Sequence, residues 1–183
     1  MNELEREKKR GLSFPYLIKV LFARLKNGRR YQTPGFGLAS QLFATTAKHV
    51  IAKMGPVEGE KLLRDAIEEF GRERGRRIAD AVRRNRKPLS LRNWLIHTDI
   101  GPENFAVKPS FPDGDLEARV GACTFMAAAD AWGLRDYAKI YCKYADYAIL
   151  DGYNPDVKLI LKDRHQTGAD HCVFRYVMKR KGG

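Results

Sequence analysis

The sequence predicts an α+β fold in which N-terminal helices pack on a small antiparallel sheet, made of two hairpins separated by a helical pair. Three observations predict it. Apolar residues recur at helical spacing from Leu38 to Leu95. From Phe105 to Val120 they alternate with polar residues on either side of Pro112-Asp113-Gly114-Asp115, which reads as a hairpin. After a second helical stretch, alternation returns in Val157, Leu159 and Leu161 and again in Cys172, Phe174, Tyr176 and Met178.

Residues 1–11 are almost entirely charged and have nothing to bury, so they are expected to form a frayed leader. The segment from Leu12 to Leu25 is apolar and flanked by Lys26, Arg29 and Arg30, and it is too short to span a bilayer. Its composition fits a core or subunit-contact helix, the reading favoured here, and also an interfacial membrane helix. Pro34 and two glycines mark Arg30 to Gly37 as a loop.

A helix is expected from Leu38 to Met54, with Leu42, Phe43, Ala47, Val50, Ile51 and Met54 on one face. Gly55-Pro56 ends it. A longer helix starts near Glu58 and stops at Lys87-Pro88, its stripe running through Leu62, Leu63, Ala66, Ile67, Phe70, Ile78, Ala81 and Val82. Within it, Gly71 and Gly75 form a notch where another backbone can approach. Ser90 is suited to cap a short helix through Trp94 and Leu95.

Pro109 in the first arm of the hairpin predicts an edge strand or a bulge. The run from Thr124 is helical in composition and Gly133 punctuates it. The next helix, Leu134 to Leu150, carries Tyr137, Tyr141, Tyr144 and Tyr147, which are expected to pack beneath the sheet. Gly152-Tyr153-Asn154-Pro155 reads as a turn before the second hairpin.

A length of 183 residues with 44% apolar content supports one packed domain, read as residues 38–183, after a leader and amphipathic segment at 1–37. The net charge is +12 and is concentrated between Arg72 and Lys87. A solvated helix face accounts for such a run, and an anionic partner or membrane surface would also use it. No aromatic interleaves the arginines, so a base-stacking nucleic-acid surface is not supported. With no recognisable signal segment and an odd number of cysteines, the expected compartment is the cytoplasm, with reduced thiols.

The candidate chemistry lies with Cys123, Cys142 and Cys172. With His171 they could supply four ligands, but none of the close Cys-x-x-Cys pairs of a structural zinc site is present. A nucleophilic thiol needs a neighbouring base or cation, and His171, His165 and the basic residues are the candidates. A buried packing role is the competing reading for each cysteine. On the helix, Ala138, Cys142 and Asp146 follow at i, i+4 and i+8, so thiol and carboxylate share a face. No metal and no cofactor is expected.

Several motifs together resemble the L-2-amino-thiazoline-4-carboxylic acid hydrolase family. They are Glu69-Phe70-Gly71-Arg72-Glu73-Arg74-Gly75, Cys123, Tyr141-Cys142 with Asp146, Gly152-Tyr153-Asn154-Pro155, and Gly168 to Cys172 followed by Phe174. The resemblance covers residues 38 to 178. It implies a cytoplasmic α+β protein that opens a cyclic isothiourea, 2-amino-thiazoline-4-carboxylate, toward N-carbamoyl-cysteine. Such a reaction needs a base, a proton donor for the departing thiolate and a cation for the substrate carboxylate.

On that reading Cys142 is the nucleophile or proton relay, Asp146 the base or orienting carboxylate, and His171 the acid or base. Arg119 or Arg135 would clamp the carboxylate, and Cys123, Cys172, Tyr141 and Asn154 would border the substrate. The alternative is a non-catalytic module that binds a small ligand or partner and docks through its basic surface, with homo-oligomerisation through the apolar segment.

Overall fold

The computed structural model describes residues 13–27, 34–162 and 171–177. The leader, loop residues 30–33, His165, turn residues 167–170 and Met178 lie outside the described residues. The chain divides into two units, Met1–Thr33 and Pro34–Gly183. In the first, Ser13 accepts the amide of Leu17 at 3.0 Å and opens helix α1, Phe14–Asn27.

In the second unit, helix α2 (Gly35–Met54) starts three residues before the expected boundary. Pro34 stands at its N-cap, and the glycines expected in a loop form its first turn. Of the expected face of α2, Ala47 is buried and Phe43, Val50 and Ile51 pack on the core, but Leu42 and Met54 are exposed. Ser40, Gln41, Ala44 and Ala47 point inward, whereas Leu42 is 72% exposed. Small side chains let α2 approach its neighbours closely, and Gln41 Nε2 donates to the carbonyl of Ala128 at 3.1 Å.

Pro56 occupies the first position of helix α3 (Pro56–Arg84), where its missing amide costs nothing. Helix α4 (Leu91–His97) carries the expected cap, Ser90 Oγ accepting from the amide of Asn93 at 3.3 Å. Strand β1 (Phe105–Ser110) pairs with β2 (Leu116–Cys123) around a short turn, Pro112–Gly114. Helices α5 (Thr124–Ala131) and α6 (Arg135–Tyr153) follow, then β3 (Lys158–Lys162) and β4 (Cys172–Val177).

The architecture is α+β: helices and one antiparallel four-stranded sheet of order β1-β2-β4-β3. Each hairpin contributes two neighbouring strands, and the β2–β4 pair joins them. Pro109 lies on β1, an outer strand, whose register shifts between Phe105 and Val107. Facing pairs place Leu116, Ala118, Val120, Cys172, Phe174 and Tyr176 on one side of the sheet, and Glu117, Arg119, Val173 and Arg175 on the other. Arg175 stitches β4 to the first hairpin, its Nε donating to Asp115 Oδ2 at 2.8 Å.

The core forms two clusters. One combines Leu63, Ile67, Ile78 and Val82 of α3 with Ala145, Ile149 and Tyr153 of α6. The other combines Ala44 of α2 with Phe125, Met126 and Ala129 of α5 and Ala138 of α6. Helix α6 runs past the expected turn to Tyr153, because that residue is 2% exposed, donates its hydroxyl to Ser90 O at 2.9 Å and packs on Trp94. Gly152 lies so close to the α3 backbone that an added Cβ would strike Arg72.

Candidate functional site

Helix α6 takes part in both clusters, and its middle turns carry Tyr141, Cys142 and Asp146. Strand β2 runs into α5 with no intervening loop, so Cys123 is both the last residue of the strand and the N-cap position of the helix. Beside that junction is a surface depression of about 240 Å³ lined by Ala122, Cys123, Thr124, Met126, Ala127, Asp130 and Arg135. This is smaller than the roughly 300–1,000 Å³ of pockets for drug-sized ligands, a size suited to a small acid.

The lining has an ordered origin. Thr124 Oγ1 donates to Asn104 Oδ1 at 2.8 Å, holding the first turn of α5 to the start of β1. Arg135 and Asp130 form a bidentate ion pair through one guanidinium edge, Nε donating to Oδ1 and Nη2 to Oδ2, and that pairing raises the Arg135 pKa above its ordinary value. Behind Met126 stands Cys142, its Sγ 3.7 Å from Met126 Sδ. All three cysteines are thiols and half-buried.

Cys172 opens β4 opposite Val120, which is three residues, or about 10 Å, along β2 from Cys123. His171 immediately precedes it. Cys123, Cys172 and His171 thus lie toward one end of the sheet, but of these only Cys123 lines the depression, and Cys142 stands behind its Met126. Among the described residues, no group of three or more His, Cys, Asp or Glu is arranged to hold a metal ion.

Tyr141 forms a second focus one residue away on α6. Its ring stacks on Phe125 at 4.8 Å and meets Phe43 edge-on at 5.5 Å. Burial pushes its pKa up to about 12, the negative charge of Asp146 adds to the rise, and the Arg74 guanidinium opposes it through its charge and a hydrogen bond. Arg74 is held in turn by Asp99, with Nε 2.8 Å from Oδ2 and Nη2 2.5 Å from Oδ1. The Arg74 side chain is only 14% exposed. Burial lowers its pKa, but the hydrogen bond and charge of Asp99 more than offset that and the net shift is upward. On β4, burial likewise pushes Tyr176 up to about 12, opposed by its hydrogen bond with Trp94 and assisted by Asp146.

A family model described as L-2-amino-thiazoline-4-carboxylic acid hydrolase matches residues 36–176. The chain belongs to that family. No curated protein and no solved structure matches it. The matched span runs from the first turn of α2 into β4 and includes every candidate site residue.

Not all of the sequence-derived candidates lie at the depression of this hydrolase-family chain. Cys123 and Arg135 line it, and Cys142 lies behind its wall. Asp146 acts on Tyr141 and Tyr176 instead. Arg119 is on the opposite sheet face from Cys172, is exposed, and lies 3.7 Å from Glu117. Asn154 spends its amide on the backbone, Nδ2 donating to Leu89 O at 2.7 Å and Oδ1 accepting from the amide of Asp156 at 3.0 Å. It fastens the end of α6.

Sequence reasoning did not single out Met126, Asp130, Asp99 or the buried setting of Arg74. For Arg74 a signal exists, because it lies seven residues after Ile67 and four before Ile78, a charge set in the apolar stripe. Its neighbours Arg76, Arg77 and Arg83 are exposed and pair with Glu73 and Asp80. A second depression of about 330 Å³, between α3 and α6, is lined by Glu68, Arg72, Lys143, Tyr144, Tyr147 and Asp151. It carries no thiol or imidazole.

Proposed function

We propose that the chain hydrolyses the C–S bond of a small carboxylated cyclic isothiourea, 2-amino-thiazoline-4-carboxylate or a close analogue, at the β2–α5 junction. The observation that carries this reading is a thiol and a guanidinium, Cys123 and Arg135, on one small depression. Membership of the family supplies the reaction class. Arg135 receives the substrate carboxylate, and Asp130 accepts a hydrogen bond from the exocyclic amino group.

The ring carbon bonded to two nitrogens and a sulfur is the electrophile once the amidine is protonated. The Cys123 thiolate, placed where the amides of α5 favour an anion, adds to that carbon. The ring C–S bond then breaks, and the departing sulfur takes a proton from an acid for which the imidazole of His171 is suited. Water next adds to the same carbon, Cys123 leaves as the thiol, and the water oxygen becomes the carbonyl of an N-carbamoyl-cysteine. Cys142 supports the wall through Met126 in this scheme.

The test is release of a new thiol from 2-amino-thiazoline-4-carboxylate by the purified chain, with mass spectrometry of a quenched reaction to find the adduct on Cys123. Cys123→Ala is expected to lower turnover at least about a hundredfold, whereas Cys142→Ala keeps most of it. Full turnover by Cys123→Ala refutes the covalent step. Binding without thiol release would establish the non-catalytic reading instead.

A further inference from the structure

Helix α1 presents an apolar face and holds no acidic residue of its own; residues 1–33 carry nine Lys and Arg against Glu3, Glu5 and Glu7. Phe14, Leu17, Ile18, Leu21, Phe22 and Leu25 recur at i, i+3, i+4, i+7, i+8 and i+11, the spacing of one continuous helical stripe. All six are exposed, Phe22 at 69% and Leu25 at 77%. The charged residues of the helix, Lys19, Arg24 and Lys26, are all cations. Between Lys8 and Val57 the sequence holds ten Lys and Arg and no Asp or Glu.

We propose that α1 docks on an anionic lipid surface, lying in the plane of the interface with this stripe in the headgroup and acyl boundary. Its 14 residues extend about 21 Å, short of the roughly 30 Å hydrocarbon core, so the helix lies on the bilayer and does not cross it. No helix among the described residues is long and apolar enough to cross a membrane. Charge decides between lipid and a second copy of the chain. Pairing two copies through this stripe would bring two sets of cations together with no carboxylate on either helix, in a segment where nine Lys and Arg outnumber three Glu, whereas an anionic headgroup layer neutralises both flanks.

The full-length protein is tested by co-sedimentation with phosphatidylcholine vesicles with and without phosphatidylserine, at low and high salt. Binding is expected to the phosphatidylserine vesicles, to weaken with salt, and to be slight on phosphatidylcholine alone. Lys19→Gln with Lys26→Gln should weaken it about fivefold per charge removed. Phe22→Ser with Leu25→Ser should abolish it and leave the thermal unfolding midpoint unchanged, which separates lost docking from lost folding. Equal binding to both vesicle types, or binding unchanged by Phe22→Ser with Leu25→Ser, overturns the proposal. So does a vesicle-free dimer that this double substitution dissociates. The result does not depend on whether Cys123 is catalytic.

Discussion

Replacing Gly75 by Ala tests how closely α3 and α6 approach. A Cβ at Gly75 would overlap the carbonyl of Ile149 and lie 2.7 Å from the amide nitrogen of Tyr153 and 2.8 Å from the carbonyl carbon of Gly152. All three are backbone atoms, so no rotamer change can make room, and relief requires the helices to part by roughly 1 Å. Overpacking costs about 1–3 kcal/mol, and backbone on both sides argues for the upper end. Ala in place of Gly in a helix interior returns about 1 kcal/mol. The net loss is about 2 kcal/mol, a fall of about 4–8 °C in melting temperature for a chain of this size.

Thermal unfolding by circular dichroism and urea midpoints measure it. Gly35→Ala is the control, because a Cβ there meets nothing within 4 Å, and its effect should stay within about 0.5 kcal/mol. Gly152→Ala probes the same approach from α6, where the added Cβ would strike the backbone of Arg72. The same separation of the helices relieves both clashes, so the double variant should lose less than the sum. A Gly75→Ala protein that melts at or above the parent temperature would refute the backbone-to-backbone contact.

Ser40 is fully buried and its hydroxyl finds no hydrogen-bond partner among the described residues. Ser40→Ala should therefore raise stability by about 1 kcal/mol, read as a higher urea midpoint. Tyr141 and Tyr176, both pushed up to about 12, hold their protons more tightly folded than unfolded, where the pKa is about 10. Their contribution is complete below pH 10 and is lost as pH rises through the folded values. Burial also raises Tyr153, so in near-ultraviolet titration these three tyrosines should ionise late, together with unfolding, and Tyr141→Phe should remove one of them.

Asp99 is shifted the other way. Burial raises its pKa, but the hydrogen bond and charge of Arg74 outweigh that and the net shift is downward. Its stabilising contribution is present above about pH 4 and is lost as pH falls through the folded value. Asp99→Asn should cost about 1–2 kcal/mol, less than breaking a fully buried pair because Asp99 is half-exposed. It should also flatten the acid limb of the stability curve. An unchanged acid limb would mean that the Arg74–Asp99 pair contributes nothing.

The strands and the helix order were legible because alternation and stripe spacing are local properties. On α2 the expected Ala47, Phe43, Val50 and Ile51 do pack inward, but Ser40, Gln41 and Ala44 share that face while Leu42 is exposed, because hydropathy gives small and polar residues no weight beside Leu42. Gly152-Tyr153 read as a turn because its reason for being helical is the α3 backbone, 80 residues earlier in the chain. At the site, i, i+4 spacing correctly put Cys142 and Asp146 on one helix face. Whether that face met Met126 or Tyr176 depended on packing that no single element encodes.

The joining of the two hairpins through β2 and β4 has a consequence for biogenesis. Either hairpin can close alone, but Val120 meets Cys172 only after α5, α6 and β3 have been synthesised. Until then β2 is an unpaired edge, open to the wrong partner strand, while α3 and α6 can already consolidate the helical core. Slow translation or a destabilised β4 should therefore leave a nascent chain with formed helices and an exposed β2 edge, the species a holdase chaperone would recognise.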